Sequence, residues 1–122
     1  MTLSERHAQV ESYLGKTVNI EIDRPIGYVH KKNGKTLVYP INYGYIPGVL
    51  GGDDEELDVY VLGLDVPVSE CEVRIIAIVH RSDDVEDKLV GAVGDAHYTA
   101  HDIESAVHFQ EQFHESEIEV AE

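Results

Sequence analysis

The chain has 122 residues, 43% of them hydrophobic and 27% charged, and carries a formal net charge of −15. Such a surplus of carboxylates excludes nucleic acid, whose phosphates are bound by clustered Lys and Arg, and an anionic membrane surface. It leaves open an anionic ligand bridged to the protein by cations.

The length fits one domain over residues 1–122. No apolar run approaches the ~20 residues needed to cross a bilayer, and no apolar leader follows Met1. The single Cys71 excludes an intramolecular disulfide and, lying between Glu70 and Glu72, reads as structural; it fits a reducing, cytoplasmic location.

In chain order, Glu5–Leu14 predicts a short opening helix capped by Ser4 and ended by Gly15. Thr17-Val-Asn-Ile-Glu-Ile alternates, which predicts a half-buried strand with Glu21 on its polar face, stopped by Arg24-Pro25-Ile26-Gly27. Asn33-Gly34 is a hairpin signal and Thr36–Tyr39 a strand. Pro40 and Pro47 bracket a segment expected to be irregular or edge chain. Leu57–Leu64, Val73–His80 and Lys88–Val93 read as strands, the first two nearly continuous in apolar residues and therefore central. Thr99, with Asp102 three residues on, predicts a capped helix in which Ile103, Ala106, Val107 and Phe113 recur at helical spacing. The tail Glu115–Glu122 reads as a solvating acidic run. Several short strands closed by one helix predict a mainly β fold, a small barrel with a C-terminal helix.

Two acid clusters carry the chemistry. Asp53-Asp54-Glu55-Glu56-Leu57-Asp58 opens an apolar strand, and Asp83-Asp84-Val85-Glu86-Asp87-Lys88 opens another. Like charges at a strand entrance repel, and a hard divalent cation with oxygen ligands relieves that repulsion. Asp53, Glu55 and Asp58 in the first loop, and Asp83, Asp84 and Asp87 beside Lys88 in the second, are the candidate metal and phosphate residues, with Glu21 as a further contributor. Tyr39, Tyr43 and Tyr45 offer hydroxyls on rigid arms. The acid run does not fit an EF-hand, which needs Gly where Asp58 stands and Glu where Leu64 stands. The two Gly-Lys-Thr tripeptides lack the leading Gly and following helix of a P-loop. The seven histidines show no zinc-type spacing, so no zinc site is expected.

Glu21-Ile-Asp-Arg-Pro-Ile, Tyr39-Pro-Ile-Asn-Tyr-Gly-Tyr-Ile, Asp53-Asp-Glu-Glu-Leu-Asp-Val and Asp83-Asp-Val-Glu-Asp-Lys-Leu-Val, in that order, resemble the soluble inorganic pyrophosphatases of family I. The segment His108–His114 resembles that family's final helix more weakly. The resemblance implies a five-stranded barrel of OB type, Mg²⁺ dependence with Mn²⁺ as the alternative, and hydrolysis of pyrophosphate to two phosphates by a homo-oligomer. It further implies that Asp53, Asp58 and Asp87 hold the principal metal and that Asp58 bridges to a second. Asp83 or Asp84, with Asp87, would serve a metal arriving with substrate. Glu55 would act as general base, Lys88 and Tyr43 would touch phosphate oxygens, and Glu21 would lie on the substrate side. The chain departs from the family at Gly27 and Val29, where the family has Lys and Glu, and at Phe113 and His114, where it has Tyr and Lys. The segment bearing the family's Arg is shortened, leaving Lys31, Lys32 or Lys35 to substitute. These losses keep a second reading in view, a non-catalytic metal-binding scaffold or a hydrolase of another small phosphate compound.

Overall fold

The computed structural model describes residues 1–121. Its elements run α1 (Leu3–Glu11), β1 (Thr17–Arg24), β2 (Val29–Lys32), β3 (Lys35–Val38), β4 (Asn42–Leu50), β5 (Glu56–Leu62), β6 (Glu70–Arg81), β7 (Lys88–Ala92), α2 (Ala100–Glu111) and β8 (Ser116–Val120). Strand order β1-β4-β5-β7-β6, with β6 pairing back onto β1, closes the expected five-stranded barrel, and β8 extends it beyond β6. β5 and β7 run parallel; the other barrel pairs are antiparallel. The β2–β3 hairpin stands apart as its own two-stranded sheet, turned by Asn33-Gly34 with positive φ at both residues.

Strand alternation sorts the apolar residues into two cores. Ile20, Leu57, Val59, Val61, Val73, Ile75 and Leu89 pack with Val10 of α1. Tyr43, Tyr60, Leu62, Ala77, Val79 and Val90 pack with Ile103 and Val107 of α2. Both faces of β5 and β7 are therefore covered, which is why those strands read as continuous apolar runs.

Three expectations need correcting. The opening helix is capped by Thr2, not Ser4, because Thr2 has Glu5 three residues on and forms a reciprocal capping box. The Pro40–Pro47 segment is not irregular edge chain: β4 pairs with both β1 and β5. It tolerates Pro47 because the register breaks between Tyr45 and Leu50, where Gly48 takes φ +77 and no ladder N–H is required of the proline. Gly44 allows the tight approach to β1, since a Cβ there would lie 1.9 Å from the Glu21 carbonyl oxygen. The acidic tail is not merely solvating. Ser116–Val120 pairs with Ala77–Arg81, and Ile118 and Val120 pack against the second core; Glu122 lies outside the described residues.

Candidate active site

The two acid loops meet through a glycine. A Cβ on Gly52 would lie 2.2 Å from the Val85 carbonyl oxygen, so only glycine lets the 51–55 loop pack against the 83–87 loop. Gly52→Ala is expected to destabilise the fold by about 1–3 kcal/mol through overpacking, read as a lower urea midpoint.

Parity along the strands then decides which acids face the site. Asp58 and Tyr60 of β5 share a face, as do Glu86 and Lys88 around the start of β7, because side chains two apart project to the same side. The Lys88 ammonium, 3% exposed, donates to Asp58 Oδ2 at 2.6 Å and also to Glu86 Oε1. It sits over the Tyr43 ring at 5.7 Å. Asp53 and Glu86 are neighbours close enough to influence each other's protonation. Burial, the Asp53 carboxylate and the charge of Asp58 push the Glu86 carboxyl up to about 7 against the pull of Lys88. At Asp53 the effect of burial is outweighed by hydrogen bonds from Glu86 and the Glu55 amide, and its carboxyl is lowered. Burial and the neighbouring Asp58 hold the Tyr43 phenol well above its ordinary value, so it stays a neutral donor.

The other expected residues fall in different places. Asp84 lines the cleft and accepts from Arg81 at 3.1 Å, while Asp83 is exposed and lies 3.4 Å from His114 Nδ1. Glu55 is exposed and outside the cleft; the loop uses its backbone N–H, which donates to Asp53 Oδ1 at 3.1 Å. Glu21 accepts from Tyr45 at 2.7 Å on the exposed part of β1, and Asp23, two residues on, is the β1 acid that reaches the cleft. Asp87, expected among the metal ligands, is on the opposite side of the chain from Glu86 and Lys88. Its side chain is fully buried and its Oδ1 accepts from Arg6 at 2.6 Å and from the Arg81 amide at 3.1 Å. Asn42 is structural: it accepts from the Ile26 amide and donates to the Val66 carbonyl.

A cleft of about 690 Å³ opens above Asp58, Glu86 and Lys88. Its far wall carries Arg24, His30, Lys32 and Lys35, the last with its ammonium 4.6 Å from the Phe113 ring centroid. Arg24 is held by a 2.5 Å bond to the Tyr39 hydroxyl and stacks near Tyr43 at 5.7 Å. A chain of polar contacts links this wall to the acid loops. Tyr39 donates to Gln110, Gln110 to Tyr60 and Tyr60 to Glu111, and Glu111 receives a bidentate pair from Arg81 at 3.0 and 2.6 Å. Glu86, Asp23, Arg24, Arg81 and Gln110 had not been singled out. For Glu86 the signal was present, since it lies two residues before Lys88 in an extended segment. For the others the contacts that place them, such as Arg81 with Glu111 and Gln110 with Tyr39 and Tyr60, reach 30 or more residues along the chain or are set by the hairpin.

Asp58 and Glu86 line the foot of the cleft and Asp53 sits behind Glu86; this all-oxygen donor set, in which burial and the neighbouring acids push Glu86 up to about 7, fits a hard divalent cation. The three carboxylates do not close into a trio within 4.8 Å of one another; the Lys88 ammonium stands between two of them.

The inorganic pyrophosphatase family model matches residues 8–119. An inorganic pyrophosphatase of Saccharolobus solfataricus is 36% identical over 69% of this chain and 52% of its own length. Soluble inorganic pyrophosphatase 2 of Chlamydomonas reinhardtii is 34% identical over 70% of this chain and 48% of its own. The match thus spans about half the length of these curated relatives. The crystal structure of inorganic pyrophosphatase from Ehrlichia chaffeensis superposes with a TM-score of 0.65 over 88% of each chain at 19% identity, a likeness of fold that bears out the OB-like barrel. In motif order, in barrel topology and in relatives, the chain belongs to the inorganic pyrophosphatase family.

Proposed function

We propose that residues 1–122 form one pyrophosphatase-like domain that hydrolyses inorganic pyrophosphate to two phosphates, with Mg²⁺ held by Asp53, Asp58 and Glu86. One observation carries the reading: a buried lysine bonded to two carboxylates at the foot of a cleft whose facing wall is cationic. Acids at one end and Arg24, His30, Lys32 and Lys35 at the other match a phosphoanhydride that arrives with cations. When bound, Mg²⁺ supplies positive charge that neutralises phosphate oxygens and makes water a stronger acid; Mn²⁺ suits the same oxygen ligands.

The protein's own part is positioning and charge, which is most of what phosphoryl transfer requires. Lys88 and Arg24, both within reach of Tyr43, orient phosphate oxygens. Tyr43 donates its hydroxyl between them. Lys32 and Lys35, on the hairpin, take the place of the cation lost with the shortened segment. Asp84, of the pair Asp83 and Asp84, is the one placed to meet a cation entering with substrate, and Arg81 holds it there. A cytoplasmic location and self-association belong to the same proposal, on the strength of the resemblance and the free Cys71.

Phosphate release from pyrophosphate with Mg²⁺ tests the reading, with Asp58→Asn as comparison. The variant is expected to lose about a hundredfold or more, the scale of one lost charge contact in a preorganised site. Equal rates in the two proteins would sink the assignment. The cleft volume falls within the ~300–1,000 Å³ of small-molecule sites and leaves room for larger phosphate compounds. Turnover of one of those, with none of pyrophosphate, would select the other-hydrolase reading; metal binding without any turnover would select the scaffold.

A further inference from the structure

The opposite side of the acid loop from the cleft carries a second constellation. Asp87 Oδ2 faces two imidazoles, His80 Nδ1 at 3.4 Å and His7 Nε2 at 3.9 Å, and the three atoms lie within 4.8 Å of one another. In a tetrahedral site with bonds of ~2.0–2.1 Å, neighbouring ligand atoms are ~3.3–3.4 Å apart, which is the His80–Asp87 separation. On the far side of the His80 ring, Nε2 lies 2.8 Å from Glu119 Oε1. A carboxylate oxygen only accepts, so Nε2 carries the proton, and in a neutral ring Nδ1 is left with its lone pair toward Asp87. A carboxylate fixing the second nitrogen of an imidazole is the usual outer support of a metal-ligating histidine. Arg6 occupies Asp87 Oδ1, leaving Oδ2 as a single oxygen donor.

We propose that His7, His80 and Asp87 form a binding site for a borderline transition-metal ion of the Zn²⁺ type, separate from the carboxylate site in the cleft. Two imidazole nitrogens and one half-neutralised oxygen favour such ions over Mg²⁺, which prefers oxygen and several waters. The site joins α1 to the end of β6 and the acid loop that follows it, and the two histidines lie on elements far apart in sequence, so no local His spacing announces it. Bound metal would pin the N-terminal helix to the loop that carries Glu86 and Lys88. This inference does not rest on the activity proposed above.

The test is Zn²⁺ titration of the full chain by calorimetry in excess Mg²⁺, with Co²⁺ as a visible-absorption probe, alongside melting curves. The expected result is one Zn²⁺ per chain, a tetrahedral Co²⁺ spectrum, and a Tm rise of roughly 9 °C when the metal is about a hundredfold above Kd. His7→Ala, on the half-exposed face of α1, should weaken binding about tenfold or more without lowering the metal-free Tm, and His80→Gln should do the same to binding. A doubly protonated His80 bridging Asp87 and Glu119 is the competing arrangement, and it predicts no Zn²⁺ uptake. That result would overturn the proposal, as would Zn²⁺ binding unchanged in both histidine variants or abolished by Glu86→Gln.

Discussion

Glutamine in place of Glu86 is expected to lower pyrophosphate hydrolysis by about a hundredfold or more, while glutamine in place of Glu55 changes it by no more than about threefold. Glu86 is bonded to Lys88 and lines the cleft; Glu55 is exposed and outside it. Loss of one charge contact aimed at the reacting centre costs about 3 kcal/mol, whereas an exposed side chain away from such contacts is worth about 0.5 kcal/mol. Glu86→Gln keeps the shape of the side chain and relieves its repulsion with Asp53 and Asp58, so the variant should fold with an unchanged or higher Tm. Calorimetry should show its Mg²⁺ affinity reduced. The opposite pattern, with Glu86→Gln active and Glu55→Gln inactive, would restore Glu55 as the base and remove Glu86 from the site.

This pair of acids shows how far the sequence could be read. The barrel was legible because β5 and β6 are nearly continuous apolar runs and because Thr99 and Asp102 form a capping box that announces α2. Lys88, Asp58 and Tyr43 stood out in the sequence as one group, and the structure brings them together. Asp87 turns away from the cleft because a strand presents only alternate residues to one side, whereas motif matching counts along the chain. Counting back from Lys88 by two gives Glu86. Of the cationic wall, only the hairpin lysines Lys32 and Lys35 stood out in the sequence. Arg24 looked like the end of a strand, and its place in the cleft beside Tyr43 depends on β1 pairing with β4 and on Tyr39, which is 15 residues away. Pro47 concealed β4 because a proline argues against a paired strand unless the register breaks, and that break is a property of the pairing.

Asparagine in place of Asp87 is expected to destabilise the protein by about 3 kcal/mol, the scale of breaking a buried ion pair from one side. For a chain of this length that is a fall in Tm of roughly 10 °C. Arg6 is 8% exposed and would keep its charge without the carboxylate that now takes a 2.6 Å bond from it; its remaining bonds to the Arg81 and Asp84 carbonyls do not neutralise it. The pH dependence has a definite sign. Burial raises the Asp87 carboxyl, but hydrogen bonds from Arg6 and the Arg81 amide outweigh it and leave the native value below the ordinary one. A depressed carboxylate contributes its stability in full above the unfolded value near ~3.9 and loses it as pH falls through the native value. The gap between wild type and Asp87→Asn should therefore be wide at pH 7 and close below about pH 4. Urea midpoints across that range measure it. Equal midpoints at pH 7 would mean that Arg6 and Asp87 do not hold the acid loop to α1. A folded variant that has lost its Mg²⁺ affinity would return Asp87 to the metal site from which its orientation removes it.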